Sequence, residues 1–414
     1  TQRQVVRVGA GGATGNRPPL AIVGDSAAAP TAPVAAVLAG QVPLELLDRF
    51  DLVAIDRRGS GYDALDCAPA TARAALVDAD PAAIDQASLS RLLDHARELV
   101  QECAIDTNGN LAQFRSAATS FDLDVLRTAL GVRRLSAIGI GDGANAVLGW
   151  ARVNPDAAGR IVLDGPTQPG LDDPELTESR IRATEAAFDA FAAACAARPG
   201  CPLGADPLAT VTALVETLRL RPQAAADGGR LTAGSALFAL RTGLMEPRGW
   251  PGLAAALAAA GAGDPATLLA GLDRVLGPRG SFDAALATRC NDTRTRLAPA
   301  QAADFAGRMR EAYPLFGAAM ALQVVKCAAW PTARPAPGAP LAGLPPMLVI
   351  GTAADPRSTL EGARRLAQSL PGAVFVSWQG AGTGAFPRTA CVTQAVTGML
   401  VDGQLPPDGT LCPP

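Results

Sequence analysis

The stretch from Leu135 to Asp164 constrains this chain most. Leu135–Ile140 is a short apolar run that passes into the turn Gly139-Ile140-Gly141-Asp142-Gly143. Helical spacing follows over Ala144–Val153, and a second apolar run closes the unit at Arg160–Asp164. Strand, tight turn, helix and strand in that order make a right-handed crossover between parallel strands. Further runs of this kind stand at Leu20–Val23 and Phe50–Asp56, and again at Pro346–Ile350 and Val374–Trp378. Strands buried on both faces read as short continuous apolar runs. The fold class is therefore α/β, with a mainly parallel sheet and helices on both faces.

The remaining segments fit around that sheet. Residues 1–65 read as short strands and turns, with Val5–Val8 a strand and Gly9–Gly15 a glycine-rich turn. Helical spacing covers 85–103 and 119–130, the second opened by a Thr119/Ser120 cap with Asp122 in its first turn. From about 172 to 335 strand signals vanish. Ala/Leu-rich helices take over, broken near 199, 247 and 278 and ending in the proline-rich stretch Pro331–Pro340. The expected division is a core over 1–170, a helical insertion over 171–335 and a return to the core over 336–414.

Composition excludes several partners. The 414 residues carry a formal net charge of -3, so no basic surface invites nucleic acid. No run of about 18 apolar residues occurs, so no segment is expected to span a bilayer. The chain begins at Thr1, and a signal or anchor segment is expected to precede it. Eight cysteines occur without any CxxC pair and beside a single histidine, His95, so no metal site is expected. They read as a disulfide framework made in an oxidising compartment, with buried thiols as the alternative. Cys195 and Cys201 are an obvious local pair.

The Gly139–Gly143 turn has the frame of the G-x-S-x-G nucleophile elbow, in which small residues let a strained turn expose its serine. Around it the chain resembles the secreted tripeptidyl aminopeptidase-like hydrolases of actinomycetes, a branch of the proline-iminopeptidase-like α/β-hydrolases. The resemblance runs through Phe50–Gly61 with Cys67 after it, through Thr119–Val132, and through Trp150-Ala151, Asn154-Pro155 and Val162–Gly165. It continues at Cys327 with Trp330-Pro331, and at Cys391-Val392, Asp402-Gly403, Leu405-Pro406, Gly409-Thr410 and Cys412. It implies an α/β-hydrolase fold with a helical cap. Together with nearness in sequence, it also implies the pairs Cys67–Cys103, Cys195–Cys201, Cys290–Cys327 and Cys391–Cys412.

Laid on the family pattern, the catalytic positions hold unusual residues. Gly141 stands at the nucleophile, Asp355 at the acid and Thr383 at the histidine, inside Gly380–Gly384. The loop that should present oxyanion donors reads Gly24-Asp25-Ser26-Ala27-Ala28-Ala29-Pro30, and Arg357-Ser358 follows the acid where the family has Thr-Pro. A hydroxyl nucleophile needs an adjacent base, and backbone N–H groups must face the developing oxyanion. His95 reads as an ordinary helix residue, and Ser26 and Ser60 as turn serines.

The expectation drawn from these residues is a catalytically inactive member without cofactor, a pseudoenzyme placed outside the cytoplasm or in the cell envelope. Its cleft, at Gly141, Asp142, Asp355, Arg357 and Thr383, is expected to hold an elongated, largely uncharged small molecule, peptide or lipid, or else a cell-envelope protein. Asp355 is expected to seek a donor from Arg357, water or the ligand. Two alternatives stand beside this. One is a residual serine-type hydrolase or peptidase with an atypical site, for which Asp142 is one candidate nucleophile. The other is a dinucleotide site at Gly139-x-Gly141-x-x-Ala144, with Asp164 ending the next strand as the ribose-binding acid.

Overall fold

The computed structural model describes residues 4–9, 17–28, 30–168, 170–225, 228–331 and 341–414. Most of the Gly9–Gly15 turn, Ala29 and the proline-rich stretch after Pro331 lie outside the described residues.

The apolar runs form one eight-stranded sheet of order β1-β3-β2-β4-β5-β8-β9-β10. Its strands are β1 (Val5–Val8), β2 (Pro19–Val23), β3 (Asp51–Ile55), β4 (Leu135–Ile140) and β5 (Ala158–Asp164), then β8 (Met347–Ala354), β9 (Val374–Ala381) and β10 (Thr410–Cys412). A two-stranded hairpin, β6 (Gln223–Ala224) with β7 (Arg230–Leu231), sits apart in the helical region. Only β1 runs antiparallel, against β3; every other pair in the large sheet is parallel.

Every residue of β2 and β3 is buried. Alternate side chains enter opposite layers, as the two-residue period of a strand requires. Leu20, Ile22, Leu52 and Ala54 pack on one face with Trp378 and Leu400. Ala21, Val23, Val53 and Ile55 pack on the other with Val147, Trp150 and Leu366. A third core is mainly helical. Its aromatic centre sets Phe191 against Phe188 at 5.9 Å and against Trp250 at 5.7 Å between ring centroids. Leu89, Leu99 and Phe114, from the connection between β3 and β4, join that helical core rather than the sheet.

Two local readings of the sequence give way to tertiary contacts. Residues 31–49, read as turns, form the helices Thr31–Ala39 and Leu44–Arg49. The first is started by a distant carboxylate, Asp56, which accepts from the Ala32 N–H at 2.8 Å. The helix expected from Thr119 begins instead at Ser116. Asp292 accepts from the Ser116 N–H at 3.0 Å and from its hydroxyl at 2.6 Å, which caps the helix from another element. Asp122 then lies inside the helix and takes Arg58 in a two-pronged contact at 2.7 and 2.8 Å.

Four disulfides join Cys67–Cys103, Cys195–Cys201, Cys290–Cys327 and Cys391–Cys412, the pairs that the resemblance implied. The last ties the helix Ala390–Thr397 to β10, the short edge strand at the chain's end. Replacing Cys391 and Cys412 together by Ser is expected to cost about 2–4 kcal/mol. The urea midpoint of the variant reads that loss. A midpoint equal to the parent's would show that β10 holds without the bridge.

Candidate functional site

The turn after β4 is built as the sequence frame requires. Gly141 takes φ 59 and ψ -128, a backbone that side chains adopt only under strain. Gly139 and Gly143 let the turn close, because a Cβ at either would collide with backbone, that of Ala144 or of Val23 and Gly24 respectively. The helix Asp142–Val153 springs directly from it.

What stands over the turn is Asp25, at the end of β2. Its carboxylate fills the space where a Cβ on residue 141 would go. It accepts from the Asp142 N–H at 3.0 Å, from the Ala27 N–H at 2.8 Å and from Arg357 Nη2 at 2.9 and 3.2 Å. Burial by itself would raise this carboxyl; the Arg357 guanidinium and the two N–H donors outweigh it and hold Asp25 below its ordinary value. The Asp25–Arg357 pair therefore takes the place over Gly141 that an emptied cleft would have left open.

Asp355 follows β8 and is fully buried. The Thr383 hydroxyl donates to it at 2.8 Å, the Ser358 hydroxyl at 3.0 Å and the Arg357 backbone N–H at 2.9 Å. Of the expected donors, Arg357 serves Asp355 only through its backbone, because its guanidinium is turned to Asp25. Thr383, at the histidine position, and Ser358 supply the side-chain donors. Burial raises the Asp355 carboxyl to about 7 against these bonds, and the nearby Asp25 adds to the rise. Asp164 is likewise raised by burial, to about 6, and accepts from the Ala385 and Phe386 N–H groups.

Asp142, the first helix residue, faces a cavity of about 180 Å³. Its carboxylate takes the Ser26 hydroxyl and Arg57 in short contacts and the Ser26 N–H at 2.8 Å. Ser26 thus comes to a carboxylate, whereas Ser60 is the turn residue expected, its hydroxyl bonded to the Arg57 carbonyl at 3.0 Å. His95 lies on the helix Gln86–Asp106, beside Glu98 at 3.8 Å. Five cations, Arg180, Arg241, Arg289, Lys326 and Arg357, reach the cavity among apolar and neutral polar side chains such as Phe238, Phe282 and Thr177, with Asp292 as a second acid. The sequence reading missed Arg57, Arg180, Arg241, Arg289 and Lys326. The visible signal was Lys326, the single lysine among 36 basic residues, set in a run of apolar neighbours.

The sheet and its glycine elbow define an α/β-hydrolase. The family described as TAP-like protein matches residues 313–412. A protein named Carboxylesterase B, from Mycobacterium tuberculosis, is 30% identical over 407 residues, 92% of this chain and 77% of that one. Serine protease Hip1 of the same organism is 28% identical over 397 residues, covering 90% and 76%. This chain belongs to the TAP-like α/β-hydrolase family. Among solved structures, an enol-lactonase from Burkholderia xenovorans LB400 aligns over 96% of both chains at 15% identity with a TM-score of 0.40.

These relatives overturn the inactive, pseudoenzyme reading. Proteins that align with nine-tenths of the chain are named as a protease and an esterase, so the residual-hydrolase alternative fits better. The dinucleotide alternative also falls. The helix N-terminus that would take a pyrophosphate is already occupied by Asp25, whose negative charge would repel one.

Two measurements probe this geometry. Gly141→Ser is expected to destabilise by about 1–3 kcal/mol, because the new Cβ meets the Asp25 carboxylate. Asp25→Gly also destabilises, since it strips a buried guanidinium of its partner. The double variant should lose less than the sum, and additive losses in a thermal unfolding cycle would refute the overlap. The second measurement concerns pH. Folded Asp355 keeps its proton to about pH 7, while the unfolded chain releases it near 3.8. The folded state therefore binds more protons in that window, and this contribution to stability is lost as pH rises from about 4 to about 7. Asp355→Asn removes it, so the variant should gain on the parent between pH 5 and pH 8 in urea midpoints. A difference that is constant across pH would contradict the raised carboxyl.

Proposed function

We propose that this protein is a slow hydrolase of ester or amide bonds, acting through Ser26 and Asp142 in place of a Ser-His-Asp triad. The observation that carries this is the hydrogen bond from the Ser26 hydroxyl to the Asp142 carboxylate on the wall of the cavity that five cations line. Attack by Ser26 Oγ on a carbonyl carbon forms the acyl bond while the hydroxyl proton passes to Asp142. The leaving group departs with that proton. Water then cleaves the acyl–Ser26 bond, its proton moving through Asp142 and back to Ser26.

The backbone N–H groups of Ser26 and Ala27 are already bonded to Asp142 and Asp25. Charge developing on the carbonyl oxygen is therefore met by guanidinium groups, with Arg357 4.0 Å from the Asp142 carboxylate. A carboxylate is a poorer base than imidazole at neutral pH, which supports turnover about 10²–10⁴-fold below that of a triad enzyme. The four disulfides support a place outside the cytoplasm, secreted or in the cell envelope.

A fluorophosphonate probe should label the purified protein slowly at Ser26, and Ser26→Ala should abolish both labelling and the hydrolysis of p-nitrophenyl esters and peptide anilides. Labelling that persists in Ser26→Ala, or none in the parent, would remove this assignment.

A further inference from the structure

The cavity beside Ser26 holds more positive charge than its own residues balance. Arg289 is matched by Asp173 at 2.8 Å and Arg357 by Asp25 at 2.9 Å. Arg180, Arg241 and Lys326 have no carboxylate partner among the described residues. Arg180 Nε and Lys326 Nζ are buried without any hydrogen-bond acceptor. Arg241 only stacks over the Phe238 ring at 4.9 Å, and Lys326 sits 5.4 Å from the Phe282 ring. They come from separate helices, Arg180 from Asp173–Ala196, Arg241 from Ala233–Gly243 and Lys326 from Gln323–Lys326, yet converge on one space.

Unpaired buried cations are costly, and the cost shows in their protonation. Burial, with repulsion from Arg357 and Arg289, pushes Arg180 and Arg241 down to about 9. Burial together with Arg241 and Arg289 drives the Lys326 amine well below its ordinary value. A lysine kept only for packing would be replaced at less cost by methionine. Lys326 is only 2% exposed and is aimed into a cavity that two further unpaired cations line.

We propose that Arg180, Arg241 and Lys326 form a binding site for a small anion bearing two or more negative charges on carboxylate or phosphate oxygens. Guanidinium forks fit both kinds of oxygen pair, and the ammonium adds a point charge between them. The site would give the neighbouring Ser26 a substrate with an anionic arm, but binding itself does not depend on Ser26 chemistry.

The test is calorimetric titration of the intact protein at neutral pH with citrate and, separately, pyrophosphate, with sodium chloride as the control. At least one should bind saturably at one per chain, and the better one assigns the oxygen type. Lys326→Met and Arg241→Met should each weaken it by about tenfold or more, the loss of one charged hydrogen bond. Without ligand, Lys326→Met should be at least as heat-stable as the parent, because a buried unpaired amine has gone. Binding of neither anion, or binding that both substitutions leave intact, would overturn the site. Fluorophosphonate labelling of Ser26 is a separate readout, so either proposal can fail alone.

Discussion

The ion pair between Asp25 and Arg357 organises the rest of the site. Two charges leave water to make it, and such a pair is tolerable only where further hydrogen bonds complete the geometry. Here the Asp25 carboxylate also takes the N–H groups of Ala27 and Asp142, which locks the loop after β2 onto the elbow after β4. Arg357 is thereby drawn away from Asp355. Asp355 then needs other donors, and Thr383 and Ser358 supply them. The residues at the family's nucleophile, acid and histidine positions are thus satisfied internally, and the hydrogen bond on which the proposed hydrolysis rests lies beside them, between Ser26 and Asp142. In that proposal hydroxyl chemistry lacks imidazole but has guanidinium groups nearby, an arrangement that favours negative charge in the transition state more than rapid proton transfer.

The helical layer and the sheet are stabilised by different means. The sheet strands bury aliphatic side chains on both faces, which yields most of the apolar area a parallel sheet can gain. The helical layer is rich in alanine, which buries little per residue. Three of the four disulfides lie in that layer, and Phe188, Phe191, Phe316 and Trp250 form an aromatic cluster within it. Cys195–Cys201 and Cys290–Cys327 tie down the helices that carry Arg180 and Arg289.

The strands β2, β3, β4, β5, β8 and β9 were legible in the sequence because a buried parallel strand needs an unbroken apolar run. The elbow was legible too, because only glycines permit its close approaches. The helix Thr31–Ala39 and the true start at Ser116 were not, because their first N–H groups are satisfied by Asp56 and Asp292, carboxylates remote in sequence. Local capping signals cannot reveal a cap delivered by another element.

The sequence by itself determined the α/β-hydrolase fold, the absence of serine at residue 141 and of histidine at residue 383, and a cysteine set suited to four bridges. Those follow from which side chains exist and how they recur along the chain. The tertiary structure decided that Asp25 covers Gly141, that Thr383 bonds Asp355, that Ser26 meets Asp142, and that three arginines and the lone lysine from four helices face one cavity. Each of these joins residues more than twenty positions apart, and charge at a distance in sequence becomes chemistry only when the chain brings it within a few ångströms.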